Sequence, residues 1–107
     1  MQMIISGRRV VLSPAFRATA GRKIEKLVRV LPRILDVRLV CAQQKSQRSV
    51  RLTVRAGRRV FSTRSTGPDF LAAVDDAIET LGRQAREEKE RRTRRRDRGL
   101  DLIEPVA

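Results

Sequence analysis

The chain has 107 residues, with 25 Lys or Arg against 12 Asp or Glu, a net charge of +13, no histidine and a single cysteine. That length holds one well-packed domain rather than two, and the missing histidine with the lone Cys41 excludes histidine triads, histidine general bases, internal disulfides and cysteine or histidine zinc sites. Such a basic chain accumulates on polyanions, nucleic acid first and an anionic membrane surface second, while no apolar run approaches the ~18 residues that a membrane span needs.

In chain order, Met3 to Val11 reads as a first strand, rich in Ile and Val and interrupted by SGRR. Ser13 followed by Pro14 is a helix start: the hydroxyl satisfies an orphan amide, and proline at the first helical position gives up a donor that had no partner. This helix is expected to run to about Val30, because Pro32 keeps Leu31 out of the helical region. Phe16, Ala20, Ile24, Leu27 and Leu31 recur at spacings of four and three and form its apolar face. Arg22, Lys26 and Arg29 share the opposite face. Gly21 costs the helix about 1 kcal/mol relative to alanine, for no reason visible in the sequence.

Three strand-like runs follow. Ile34 to Gln43 alternates through Val37, Leu39 and Cys41, which makes Cys41 a buried structural thiol rather than a nucleophile. After the polar turn QQKSQR, Ser49 to Ala56 alternates Val50, Leu52 and Val54 with Arg51, Thr53 and Arg55. AGRR then leads into Arg59 to Ser65. Short turns between such runs predict an antiparallel meander with one covered face and one wet, positive face.

The second helix opens in STGPDFLAAVDDAIETL. Thr66 and Asp69 have capping-box spacing, with aspartate in place of Glu or Gln and Pro68 in the first turn. Phe70, Val74, Ala77, Ile78, Leu81 and Ala85 form its apolar stripe. Continued at the helical period, that stripe meets Glu88, Arg92 and Arg95, so the helix is expected to leave the core after about Ala85. The expected architecture is α+β, in the order β-α-β-β-β-α, with both helices on one face of a four-stranded sheet. Residues 1–90 form the domain, and 91–107 a charged helical extension and flexible tail in which Leu100, Leu102, Ile103 and Val106 fray.

Charge is distributed unevenly. Arg8 to Arg64 holds sixteen Lys or Arg against two acids, Glu25 and Asp36, while Arg86 to Arg96 holds seven bases against three acids. Glu87, Glu88 and Glu90 precede Arg91, Arg92 and Arg94 by four residues, the favourable order for helical ion pairs. Part of the arginine run therefore supports its own helix, whereas the imbalance in the body exceeds what solubility requires. Phe16, Phe61 and Phe70 all fall on apolar-pattern positions and there is no Trp or Tyr, so stacking on single-stranded bases is not expected. Recognition through phosphates and the shape of folded or double-helical RNA remains.

MQMIISGRRVVLSPAFR, RILDVRLV and TGPDFLAAVDDAIETLGRQAR together resemble the bacterial ribosome hibernation-promoting factors, also known as ribosome-associated inhibitors, over about residues 1–90. The most specific pieces are the opening strand with Ser13-Pro14-Ala15 and the run Asp69 to Asp75. The resemblance implies the same β-α-β-β-β-α fold, similar to double-stranded RNA-binding domains, and a non-enzymatic protein. It further implies binding to the small ribosomal subunit, through ribosomal RNA, in the channel used by messenger and transfer RNA. The outcome would be silencing of idle ribosomes under stress and in stationary phase. Carried over by position, it marks Arg83, Arg86 and Lys89 on the second helix, Lys45 in the hairpin, and more loosely Arg22, Lys23 and Lys26 on the first. With Arg29, from the same basic face, these are the candidate RNA-binding residues. The chain departs from the family at Asp69-Phe70-Leu71, where Asp-Met-Tyr is common, so any role of that tyrosine hydroxyl is lost.

The expected protein is thus a cytoplasmic translation regulator, a monomer off the ribosome, that takes no cofactor, metal, membrane or small-molecule substrate. Leucine-bearing LDLIEPVA is too short to be the second, ribosome-pairing domain of long family members, so either a short form or a piece of a longer protein is expected. Two alternatives compete. A general double-stranded RNA-binding or ribosome assembly protein would use the same charges on unrelated duplexes. A transcription-modulating protein-interaction module would use the apolar tail or a sheet edge, a reading that Arg51 and Arg55 on the outer sheet face oppose.

Overall fold

The computed structural model describes the backbone of residues 1–103 and the side chains of residues 1–93. Its elements are β1 (Gln2–Arg8), α1 (Pro14–Val30), β2 (Ile34–Gln44), β3 (Gln47–Ala56), β4 (Arg59–Gly67) and α2 (Phe70–Ile103). The four strands form one sheet in the order β1-β2-β3-β4, with β1 parallel to β2 and the other pairs antiparallel. The α+β order expected from the sequence is the order observed.

Local chemistry explains where the elements begin and end. Strand β1 stops at Arg8, short of the expected Val11, because the chain doubles back there. A Cβ on Gly7 would lie 2.3 Å from the Val10 carbonyl oxygen, and Arg9 adopts a left-handed φ of 60°. Val11 is left 96% exposed. Helix α1 starts as its cap dictates: the Ser13 hydroxyl accepts the Phe16 N–H at 3.1 Å, with Pro14 in the first turn. It ends at Leu31, which is extended ahead of Pro32.

The start of α2 differs from the expected capping box. Thr66 belongs to β4, paired with Ser49, so it cannot cap a helix that begins four residues later. Asp69 is the cap instead: its carboxylate accepts the Ala72 N–H at 2.8 Å and its carbonyl the Ala73 N–H at 3.2 Å. Arg48 secures the approach to this cap, donating to the Pro68 carbonyl at 2.9 Å while its guanidinium lies 6.0 Å from the Phe70 ring centre.

One face of the sheet carries the core. Val37, Leu39 and Cys41 from β2 and Val50, Leu52 and Val54 from β3 are all essentially inaccessible. Ala20, Ile24 and Leu27 of α1 and Val74, Ala77 and Leu81 of α2 cover them. Each large side chain in this set contributes about 1.5–3 kcal/mol by its burial. Phe16 and Phe70 meet edge to face at 6.0 Å at the N-terminal ends of the two helices, and Phe61 packs against the core from β4. Burial pushes the Cys41 thiol up to about 11, against a smaller downward pull from Arg17, which fits an inert structural thiol.

Ala85 is the last core residue of α2 among those described, where the sequence pattern placed the departure. The helix nevertheless continues without a break to Ile103. At the point of departure Glu88 forms an ion pair with Arg59 at the start of β4. The expected fraying of Leu100, Leu102, Ile103 and Val106 falls on side chains outside the described residues.

Candidate nucleic-acid interface

Three contacts set how the helices lie. Phe16 meets Phe70, Lys23 Nζ is 2.8 Å from Asp75 Oδ1, and a Cβ on Gly82 would lie 3.5 Å from Leu27 Cδ1. Positions rise together along both helices, so α1 and α2 run side by side in the same direction. The C-terminal half of α1 therefore lies beside the stretch of α2 from Asp75 to Gly82.

On α1, Arg22, Lys26 and Arg29 are exposed on the face turned away from Ala20, Ile24 and Leu27. Glu25, the one acid of this helix, stands exposed among them. Among the described residues none of the three bases forms an ion pair; Arg22 only donates to the Thr19 hydroxyl at 3.3 Å. Lys23 is different. It sits on the flank facing α2, half-buried, with its ammonium held by Asp75, and Lys26 and Leu27 line the same interhelical hollow with Ile78. Lys23 is thus a helix-to-helix tie before it is a phosphate ligand.

On α2, Arg83, Arg86 and Lys89 are all exposed, and none of them is ion-paired among the described residues. Arg83 follows directly on Gly82, the residue under Leu27, so its backbone is level with the C-terminal half of α1. Spacing by three winds such a row round the helix by about 60° per step, so Lys89 does not share the bearing of Arg83. Exposed Asp75, Asp76 and Glu79 occupy the preceding turns of the same helix. The helical face is therefore mainly basic along α1 and at the far half of α2, with an acidic stretch at the near half.

Lys45 lies elsewhere. It begins the two-residue turn between β2 and β3, where Gln44 pairs with Gln47, and its left-handed φ of 55° is what that turn requires. The turn is at the end of the sheet where Arg8 pairs with Ala42 and Arg48 reaches Pro68. That is the end holding the helix N-termini. Arg83, Arg86 and Lys89 belong to the other end, where Gly57 donates to the Arg33 carbonyl and Arg59 meets Glu88. Lys45 is instead brought together with Arg9, which lines one surface hollow with it and with Gln43 and Gln47. Nothing in the local sequence marks Arg9 as its companion, because the two are joined only by the pairing of β1 with β2.

Comparison with known proteins bears on the family and the fold. The family described as Sigma 54 modulation protein / S30EA ribosomal protein matches residues 3–93. A ribosome hibernation promoting factor from Klebsiella oxytoca is 29% identical over 91 residues, covering 85% of this chain and 96% of that one. One from Azotobacter vinelandii is 27% identical over 106 residues, 99% of each. In three dimensions, a ribosomal subunit interface protein from Coxiella burnetii superposes with a TM-score of 0.75 at 22% identity, covering 84% of this chain and 99% of that one. The N-terminal domain of Protein Y from Thermus thermophilus does so with a TM-score of 0.73 at 20% identity, covering 81% and 98%. At those identities the two structures speak for the fold, and the match of the family over nearly the whole domain speaks for descent. The chain belongs to the Sigma 54 modulation protein / S30EA ribosomal protein family.

Proposed function

We propose that this protein is a ribosome hibernation factor. It binds the small ribosomal subunit through ribosomal RNA, blocks the sites of transfer and messenger RNA, and so inhibits translation under stress. It acts in the cytoplasm as a monomer and without catalysis. The observation that carries this reading is the exposed row Arg22, Lys26 and Arg29, free of ion pairs among the described residues, set beside Arg83 and Arg86 on a packed two-helix face. Guanidinium and ammonium groups held on a packed scaffold neutralise phosphates without first having to be ordered. Residues 1–90 supply this surface, and the charged extension beyond them adds a weaker contact. Lys45 and Arg9 form a separate basic tip at the other end of the domain, able to meet a different stretch of the same RNA.

The names of the relatives support the ribosome as target, and the lack of an exposed aromatic among the described residues supports phosphate and shape recognition over base stacking. The test is a titration of labelled protein against purified small subunits at near-physiological salt, with a large excess of unrelated double-stranded RNA. Saturable one-to-one binding is expected to survive that competitor and to disappear when transfer RNA fills its sites. Stripping by the competitor would instead make the protein a general duplex binder.

A further inference from the structure

The face of the sheet turned away from the helices is the most one-signed surface of the domain. Strand register lays its side chains out in rows: Ser6, Val40, Arg51 and Arg64 stand abreast, flanked by Ile4, Arg38, Thr53 and Ser62 on one side and Arg8, Ala42, Ser49 and Thr66 on the other. Arg8, Arg38, Arg51 and Arg64 are all exposed, and among the described residues none of them has an acidic partner. The one acid on this face, Asp36, is taken by Arg55 at 2.5 Å.

Arg51 and Arg64 are direct cross-strand partners. Like charges directly opposite each other destabilise a sheet, and no acid on the face relieves them. Hydroxyl groups fill the space between the arginines, with Thr53 Oγ1 3.2 Å from Ser62 Oγ. Guanidinium and hydroxyl donors on an aromatic-free surface match phosphate oxygens, and the exposed apolar side chains of this face, Ile4 and Val60, stand outside the row of Arg51 and Arg64.

We propose that this open sheet face is a second RNA-binding surface, in which Arg51 and Arg64, with Arg38 and Arg8, hold the phosphate backbone of an RNA segment distinct from the one on the helices. The domain is then a wedge that grips RNA on two opposite faces. This inference rests on the RNA-binding reading above, though not on the ribosome being the target.

Two measurements decide it. In the first, a short RNA duplex of about one helical turn is titrated at low salt against the wild-type chain, the sheet variant Arg51→Gln/Arg64→Gln and the helix variant Arg83→Gln/Arg86→Gln. Two duplexes per wild-type chain and one per variant are expected. In the second, the sheet variant binds purified small subunits at least about tenfold more weakly, and the slope of log affinity against log salt falls by roughly 0.7–0.9 for each phosphate no longer neutralised. The thermal midpoint of the free sheet variant is expected to stay level or rise, because the opposed arginines are gone; a merely structural role would lower it.

A single duplex per wild-type chain, or a sheet variant with unchanged affinity for both probes, overturns the second surface while leaving the helical one intact. A benzophenone side chain introduced at Thr66 identifies the occupant on small subunits: a crosslink to ribosomal RNA is expected, and a crosslink to a ribosomal protein alone overturns the assignment. Should the wild-type chain fail the competition test on subunits yet bind two duplexes, the hibernation reading falls and the two-faced RNA grip stands.

Discussion

Between Phe70 and Ala85, α2 turns Val74, Ala77, Leu81 and Ala85 toward the sheet; over the following turns the same stripe holds Glu88 and Arg92. The backbone does not register the change and remains helical to Ile103. What changes is the source of stability. In the first half tertiary burial holds the helix; in the second, where neither Glu87 with Arg91 nor Glu88 with Arg92 forms the ion pair that the spacing suggested, intrinsic propensity must hold it. Basic residues on the two halves are therefore different instruments. Arg83 is positioned before any ligand arrives, whereas Arg91 and Arg92 ride on a helix supported only by itself.

Truncating one residue of the stripe in each half puts this contrast under the heaviest strain. Leu81 is wholly buried, so Leu81→Ala is expected to lower unfolding stability by about 2–5 kcal/mol. Arg92→Ala, at the equivalent helical position eleven residues on, is expected to stay within about 0.5 kcal/mol. Chemical denaturation of the two variants reads this directly. A comparable loss at Arg92 would mean that the extension packs on something within the domain.

Binding should rank the halves the same way. Arg83→Glu/Arg86→Glu is expected to weaken small-subunit binding at least about tenfold, since two positioned basic side chains are reversed in sign, and deleting everything after Thr93 only a few-fold. Equal or reversed effects in the titration would move the working surface out to the extension.

Much of this division was legible in the sequence, and the reasons are specific. Helical periodicity converts directly into burial, so the departure at Ala85 and the outward row Arg22, Lys26 and Arg29 could be read from spacing alone. Period-two alternation likewise identified the buried Val37, Leu39 and Cys41. Long-range pairing is a different matter. That Lys45 lies at the opposite end from Arg83, Arg86 and Lys89 follows from the parallel pairing of β1 with β2 and the side-by-side course of the helices, which no local pattern encodes. The acidic partner of Lys23 and the abreast placement of Arg51 and Arg64 were hidden for the same reason. At Thr66 the local rule itself failed, because strand pairing with Ser49 overrode a capping-box spacing.

Gly21 offers a smaller test, on the helix that never outruns its core. No sequence feature calls for glycine there, and the structure supplies none: a Cβ would meet only Met3 Sδ, at an ordinary 3.9 Å. Gly21→Ala is expected to stabilise the fold by about 0.4–1 kcal/mol by narrowing the freedom of the unfolded chain, raising the thermal midpoint by a few degrees. Destabilisation would show that α1 needs to approach β1 more closely than it does here.

The smallest expected effect lies at the junction of the two halves. Glu88 pairs with Arg59, and both side chains are about one-third exposed, so solvent screening keeps the pair's contribution at or below about 1 kcal/mol. Glu88→Gln should barely move the global unfolding transition. Its effect should be local, because among the described residues this pair is the last ion pair tying the helix to the sheet before the helix depends on itself. Amide exchange at residues 86–93 is therefore expected to quicken a few-fold, while amides at 74–81 stay as protected as before. Raising the salt concentration on the wild-type chain should reproduce that pattern through screening. If instead the whole of α2 loosens together, the pair anchors the core as well as the extension, and the boundary at Ala85 is less sharp than burial makes it.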